Sequence, residues 1–395
     1  MVIGPGAVSR VLAMVATRPE FTVGIEEEYL LVDLETRDLV ADPPPALMSE
    51  LEEILGSQVS PEFLRSQIEV GTRVCQRMDE AAVDLARLRM AVSGAAHHHG
   101  FAIIAASTHP FANWHDQLTT PKERYEGLER DLQTVLRRLV ICGMHVHVGI
   151  GDPDVRIDLM NQITYFLPHL FALSTSSPFW HGADTGLKSY RKSVFKALPR
   201  TGLPPEFSSW AEYQRHVNAL VEPGVIEDAT RLWWDVRPSA RYPTIELRIA
   251  DICTSLEDGL TIAALYVSLL SMLYRRRRAN QRWRTYQSLL IEENIWRAQR
   301  YGIDGSLVDF GRGELVHFAD LVEEIIELVS EDAEELGCLD HVLNARNILT
   351  RGTSADRQVA AFKTAREGGA DDRAALESVV DMLIDQTIAG LPALD

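Results

Sequence analysis

Four segments of the chain carry polar or ionisable side chains at alternate positions. Glu26 and Glu28 flank Glu27 in GIEEEY, and Gln67 and Glu69 flank Ile68. His145 and His147 flank Val146 in CGMHVHVG, and Glu246 and Arg248 flank Leu247 in PTIELRIAD. In an extended strand, residues i and i+2 share one face, about 6.5–7 Å apart. In three of the four segments the alternate residues are apolar: Ile68 and Val70; Met144, Val146 and Val148; Ile245, Leu247 and Ile249. One face should therefore pack against helices while the other presents carboxylates, imidazoles and a guanidinium. A single such pair would be the solvated face of an ordinary strand. Four together are harder to read that way, because clustered like charges repel unless something cationic sits between them. Carboxylates with one imidazole suit Mg²⁺ or Mn²⁺, hard ions that take oxygen ligands and share the rest of their shell with phosphates. The His-x-His pair leaves zinc open.

Several elements must position these residues. Residues 21–33 (FTVGIEEEYLLVD) alternate and are rich in β-formers, so they read as a strand. A Pro-rich turn at 42–45 precedes a helix beginning near Ala46, and a second strand is centred on residues 66–70. Residues 78–99 have helical spacing and stop at Gly100; 101–107 is a short buried strand. A long helix is predicted over 121–139, then the strand 141–150, helices over 155–175 and 208–222, a strand over 243–252, and mostly helix thereafter. Residues 177–207 are irregular and rich in Gly, Pro and aromatics, the signature of a functional loop. Strands separated by helices, followed by a helical C-terminal part, indicate an α+β domain with one main sheet.

Composition removes several classes. Of 395 residues, 46% are apolar and 24% charged, a globular balance that argues against disorder. The net charge of −18 disfavours nonspecific binding to nucleic acid or to an anionic membrane. It does not exclude anionic substrates, since a bound metal reverses the local sign. Cys75, Cys142, Cys253 and Cys338 are widely spaced, as ordinary thiols in a reducing, cytoplasmic setting would be. The apolar run Leu260–Tyr274 is too short to span a bilayer; followed by Arg275–Arg278, it reads as a buried helix with a basic last turn. His97–His99 look like a metal cluster, but the end of a helix before Gly100 is the favoured reading. There is no P-loop, no dinucleotide fingerprint and no nucleophile elbow.

The strings FTVGIEEEYLLVD, CGMHVHVG, SPFWHGADTGLKSYR, WWDVRPS, PTIELRIAD, ENIWRAQRYGIDG and RGTSADRQ run in order from residue 21 to about 358. Together they resemble the glutamate–cysteine ligase type 2 family, the YbdK-like carboxylate–amine ligases. The resemblance implies a glutamine synthetase/guanido kinase-like fold, a curved antiparallel sheet forming a funnel for ATP, metal ions and substrates. It implies Glu26, Glu28, Glu69, His145 and Glu246 as metal ligands, with His147 near the nucleotide or substrate. It also implies Arg248 on phosphate and Arg191 on a carboxylate or phosphate. Residues 1–20 are then an N-terminal extension and 21–395 a single catalytic domain. Tyr29 stands where many relatives have Phe. The expected reaction is Mg²⁺- and ATP-dependent amide formation through a γ-glutamyl phosphate, with Mn²⁺ as an alternative metal. Its substrates would be glutamate or a similar carboxylate and cysteine or another amine, and the protein would be a homo-oligomer. The alternatives are a phosphotransferase on the same fold and a noncatalytic binding protein.

Overall fold

The structure, a computed structural model, describes residues 18–391, so the expected extension over 1–20 falls almost wholly outside the described residues. Seven strands form one antiparallel sheet: β1 (Val23–Asp33), β2 (Val59–Pro61), β3 (Gln67–Gly71), β4 (Phe101–Ile104), β5 (Met144–Gly149), β6 (Val236–Pro238) and β7 (Thr244–Leu247). Their order is β6-β7-β5-β1-β3-β2. The first half of β1 pairs with β5 (Glu26 opposite His145), and its last residues pair with β4 along the same edge. The opposite edge of β1 takes β3, with Glu28 opposite Glu69.

Alternation along β1 sorts the three consecutive glutamates. Ile25, Glu27 and Tyr29 are buried on one face, while Glu26 and Glu28 are half-buried on the other. The helices Met78–His98 and Leu256–Arg278 pack against the sheet. The second is long and apolar enough to cross a membrane, yet 89% of its apolar window is buried inside the fold.

Glu27 lies wholly inside, and its carboxylate accepts from Tyr29 Oη at 2.6 Å, Arg89 Nε at 2.7 Å and Arg89 Nη2 at 2.6 Å. Arg89 extends from the helix Met78–His98 and spends its other donors on the carbonyls of Cys253 and Thr254. A carboxylate with no access to water is tolerated because a two-pronged guanidinium neutralises it and every donor finds an acceptor.

Most expected elements form, with informative differences. The helix predicted over 121–139 is two helices, Glu123–Leu132 and Thr134–Arg137, broken at Gln133 with φ 50°. The Gln133 side chain donates to the Arg130 carbonyl at 2.7 Å, satisfying an acceptor that the break frees. The helix over 155–175 is also two, Pro153–Ile163 and Leu167–Ser174, because Pro168 fits only a first turn. Residues 243–252 leave the ladder after Leu247, where the Arg248 amide bonds to the Asp235 carbonyl instead. The hairpin Ser306–Asp309/Glu314–His317 interrupts the C-terminal helices and was not expected.

Candidate active site

Cross-strand register turns four alternating segments into one array. Glu26 stands opposite His145, His147 opposite Glu246, Glu246 opposite Arg237, and Glu28 opposite Glu69, which itself pairs with Ser60. Partners in an antiparallel pair point to the same side, so these residues share a face. They line a cavity of about 960 Å³, which also takes in Arg191, Arg248 and Glu62. All eight sequence-predicted site residues therefore open onto one space.

The array resolves into two clusters. In the first, donor atoms of Glu26, His145 and Glu246 lie within 4.8 Å of one another. His145 Nδ1 is 3.0 Å from Glu26 Oε2, and His147 Nε2 is 3.4 Å from Glu26 Oε1. His147 Nδ1 meets Thr244 Oγ1 at 3.0 Å. Burial pushes the Glu26 carboxyl up, but hydrogen bonds and charge from the two imidazoles outweigh it and hold the carboxyl well below its usual range. Burial, with the Arg248 charge, pushes His145 down to about 4, so its ring is neutral and free to act as a ligand. Glu246 accepts from Arg237 Nε at 2.8 Å and Nη2 at 3.2 Å, and from Arg248 Nη1. Burial opposes ionisation of Glu246, but these guanidiniums prevail and keep its carboxyl low.

The second cluster is Glu28, Glu62 and Glu69, again with donor atoms within 4.8 Å. Its carboxylates accept from neutral groups: the Gly143 amide reaches Glu28 Oε2 at 2.7 Å, and Ser60 Oγ reaches Glu69 Oε1 at 3.0 Å. Burial and then the Glu62 charge push Glu28 up to about 8. Burial, followed by Glu62, Glu26 and Glu28, pushes Glu69 well above the usual range. Here the fold gathers three carboxylates with no ion pair from the protein onto any of them among the described residues. An all-oxygen donor set of this charge fits a hard divalent cation; the first set, with one neutral imidazole, fits one as well.

Arg191 braces the site. Its guanidinium donates to the carbonyls of Arg248 and Ile249, both at 3.2 Å, and lies 3.8 Å from Asp251. A Cβ at Gly143 would sit 2.4 Å from Arg191 Nη2, so the glycine of CGMHVHVG is needed for this approach. The same glycine's amide holds Glu28, which links the His-x-His strand to the second cluster.

Two further cavity residues, Glu62 and Arg237, lie outside the four alternating segments of the sequence. Glu62 has no acidic partner two residues away and is placed by the turn after β2. Arg237 lies in WWDVRPS, and only the β6–β7 pairing with Glu246 reveals its side of the sheet. The irregular stretch 177–207 contains the helix Arg191–Phe195, which carries Arg191 and Phe195 to the cavity wall. His98 and His99, read as a helix end, do close the helix Met78–His98.

Comparison with known proteins places this geometry. A family model described as glutamate–cysteine ligase family 2 matches residues 22–378. A protein of Rhodospirillum rubrum, provisionally named glutamate–cysteine ligase 2, is 64% identical over 379 residues, 95% of this chain and 97% of its own length. A relative of the same provisional name from a Jannaschia species is 54% identical over 374 residues, 95% and 98% of the two chains. The structure of a glutamate–cysteine ligase from Francisella tularensis in complex with AMP aligns with a TM-score of 0.66. That alignment spans 95% of this chain and 91% of that one at 14% identity, a likeness of fold.

Proposed function

The chain belongs to glutamate–cysteine ligase family 2, a family of C–N bond-forming ligases, and from that premise we propose an ATP-dependent carboxylate–amine ligase. Its carboxylate substrate is glutamate or a close analogue, and its amine is cysteine or another primary amine. The observation that carries this reading is the single cavity lined by Glu26, Glu28, Glu62, Glu69 and Glu246 beside Arg237 and Arg248. A site so acidic accepts two further anions, ATP and a carboxylate, only if cations accompany them.

Glu28, Glu62 and Glu69 would hold one Mg²⁺ or Mn²⁺, and Glu26, His145 and Glu246 a second. Bound there, the cations would supply charge neutralisation for the phosphates. The substrate carboxylate oxygen attacks the γ-phosphorus of ATP, ADP departs, and an acyl phosphate forms. The amine nitrogen then attacks the acyl carbon, phosphate leaves, and the amine gives up a proton. Arg248 and Arg237, both held by Glu246, would offset the negative charge that builds on the transferred phosphoryl group. His147, next to Glu26 and Thr244, lies within reach of the nucleotide or substrate. Arg191 positions the Arg248–Ile249 backbone. Cys142 takes no part, because it is buried outside the cavity lining and burial pushes its thiol well up. Residues 21–395 act as one catalytic unit, in the cytoplasm, where the four buried cysteines stay as free thiols.

The test is incubation with ATP, Mg²⁺, glutamate and a panel of amines, following phosphate release and product mass. Phosphate released only when an amine is present, with a new amide, supports the ligase. A stable phosphorylated acceptor formed without amine would replace it with a phosphotransferase.

A further inference from the structure

A third group of donors lies on the helical side of the molecule. Glu50 sits in the helix Pro45–Leu55, and His98 and His99 end the helix Met78–His98. One atom from each lies within 4.8 Å of the others. His99 Nε2 is 3.0 Å from Glu50 Oε2, and His98 Nδ1 is 3.3 Å from the same oxygen. None of the three lines the catalytic cavity. The helix that ends in His98 also carries Arg89, whose partner Glu27 faces away from that cavity, so the group stands behind the sheet.

The geometry points to a second class of metal site: Glu50, His98 and His99 bind a borderline transition ion such as Zn²⁺ or Co²⁺ and clamp two helices together. Three features support it. The donor chemistry is two imidazoles and one carboxylate, which suits Zn²⁺ and its neighbours and is poor for Mg²⁺. Both imidazoles converge on one carboxylate from another helix, although His98 is exposed enough to turn to solvent instead. The position is the C-terminal end of a 21-residue helix, where the backbone carbonyls favour positive charge. Three protein donors leave a coordination position to water. The partner helix supplies Glu50 from 48 residues upstream, which is why the His-rich string alone reads as a helix end.

The two site classes are separable by metal hardness. Zn²⁺ is titrated into the whole protein in excess Mg²⁺, against a chromogenic chelator, for wild type, H98Q/H99Q, E50Q and H145A. The expected result is one Zn²⁺ equivalent in wild type that is lost in H98Q/H99Q, weakened about tenfold or more in E50Q, and kept in H145A. Zn²⁺ should raise the melting temperature of wild type and not that of H98Q/H99Q, whose Mg²⁺-dependent activity stays unchanged. E50Q, which retains both imidazoles, covers the case in which the double variant does not fold. Equal Zn²⁺ stoichiometry in wild type and H98Q/H99Q, or loss of the equivalent in H145A instead, would overturn the inference. Either outcome leaves the ligase reading untouched, since that rests on amide formation.

Discussion

Glu27 and Glu28 are neighbours in sequence and opposites in circumstance. Glu27 points behind the sheet into a dry interior, where Arg89 supplies a matched positive charge and Tyr29 a further donor. Glu28 points into the cavity with Glu62 and Glu69, where its partners are neutral donors and its own kind. The first arrangement is complete as folded. The second crowds acids whose burial and mutual repulsion oppose ionisation, with Arg191 and Arg248 offsetting only part of that at Glu28, which folding alone would not favour. One face of the sheet is built for stability, and the other gives up some stability to bind cations and anionic substrates.

The largest effect should come from breaking the complete pair. Arg89→Ala leaves a buried, unpaired carboxylate and should cost about 3–5 kcal/mol of stability, read from urea unfolding. On the cavity side the sign reverses. Glu28→Gln or Glu69→Gln should lower amide-forming activity roughly 10²–10³-fold, in line with weakening the hold on a cation that offsets transition-state charge. In metal-free buffer, the same variants should unfold at equal or higher denaturant concentration than wild type. If Glu28→Gln destabilises as Arg89→Ala does, the contrast between the faces is wrong.

A smaller effect separates both from a third fate for a buried ionisable group, that of staying neutral. His169 is buried among aromatic rings, and burial lowers it to about 4 from an unfolded value near 6.5. A lowered histidine pKa means the unfolded chain binds the extra proton more readily. Its contribution is therefore intact above about 6.5 and is lost as pH falls toward 4. Between pH 7 and pH 5, wild type should lose roughly 2 kcal/mol more stability than His169→Phe, measured by unfolding at each pH.

The alternation in β1, β3, β5 and β7 was legible because a strand's two-residue period is written directly into sequence. That period separated Glu26 and Glu28 from Glu27 before any fold was known. It said nothing of which strands are neighbours, so it could not show that the polar residues fall into two clusters. Glu62 escaped because a turn places it, and Arg237 because a three-residue strand is too short to show a pattern. The break at Gln133 was invisible for a related reason: a glutamine at φ 50° is held there by its surroundings, and no glycine or proline announces it. Arg89 was hidden among the helical positions of residues 78–99, where nothing local marks an arginine as the partner of a strand residue 62 positions earlier.

Mn²⁺ binding followed by electron paramagnetic resonance tests the cavity face most directly, with wild type compared with the Glu28→Gln/Glu69→Gln double variant and with His98→Gln/His99→Gln. Wild type and the imidazole variant should bind Mn²⁺ alike, and more tightly when ATP is added, while the double carboxylate variant loses at least one site. Undiminished Mn²⁺ binding by the double carboxylate variant would contradict the claim that these acids are gathered to hold metal.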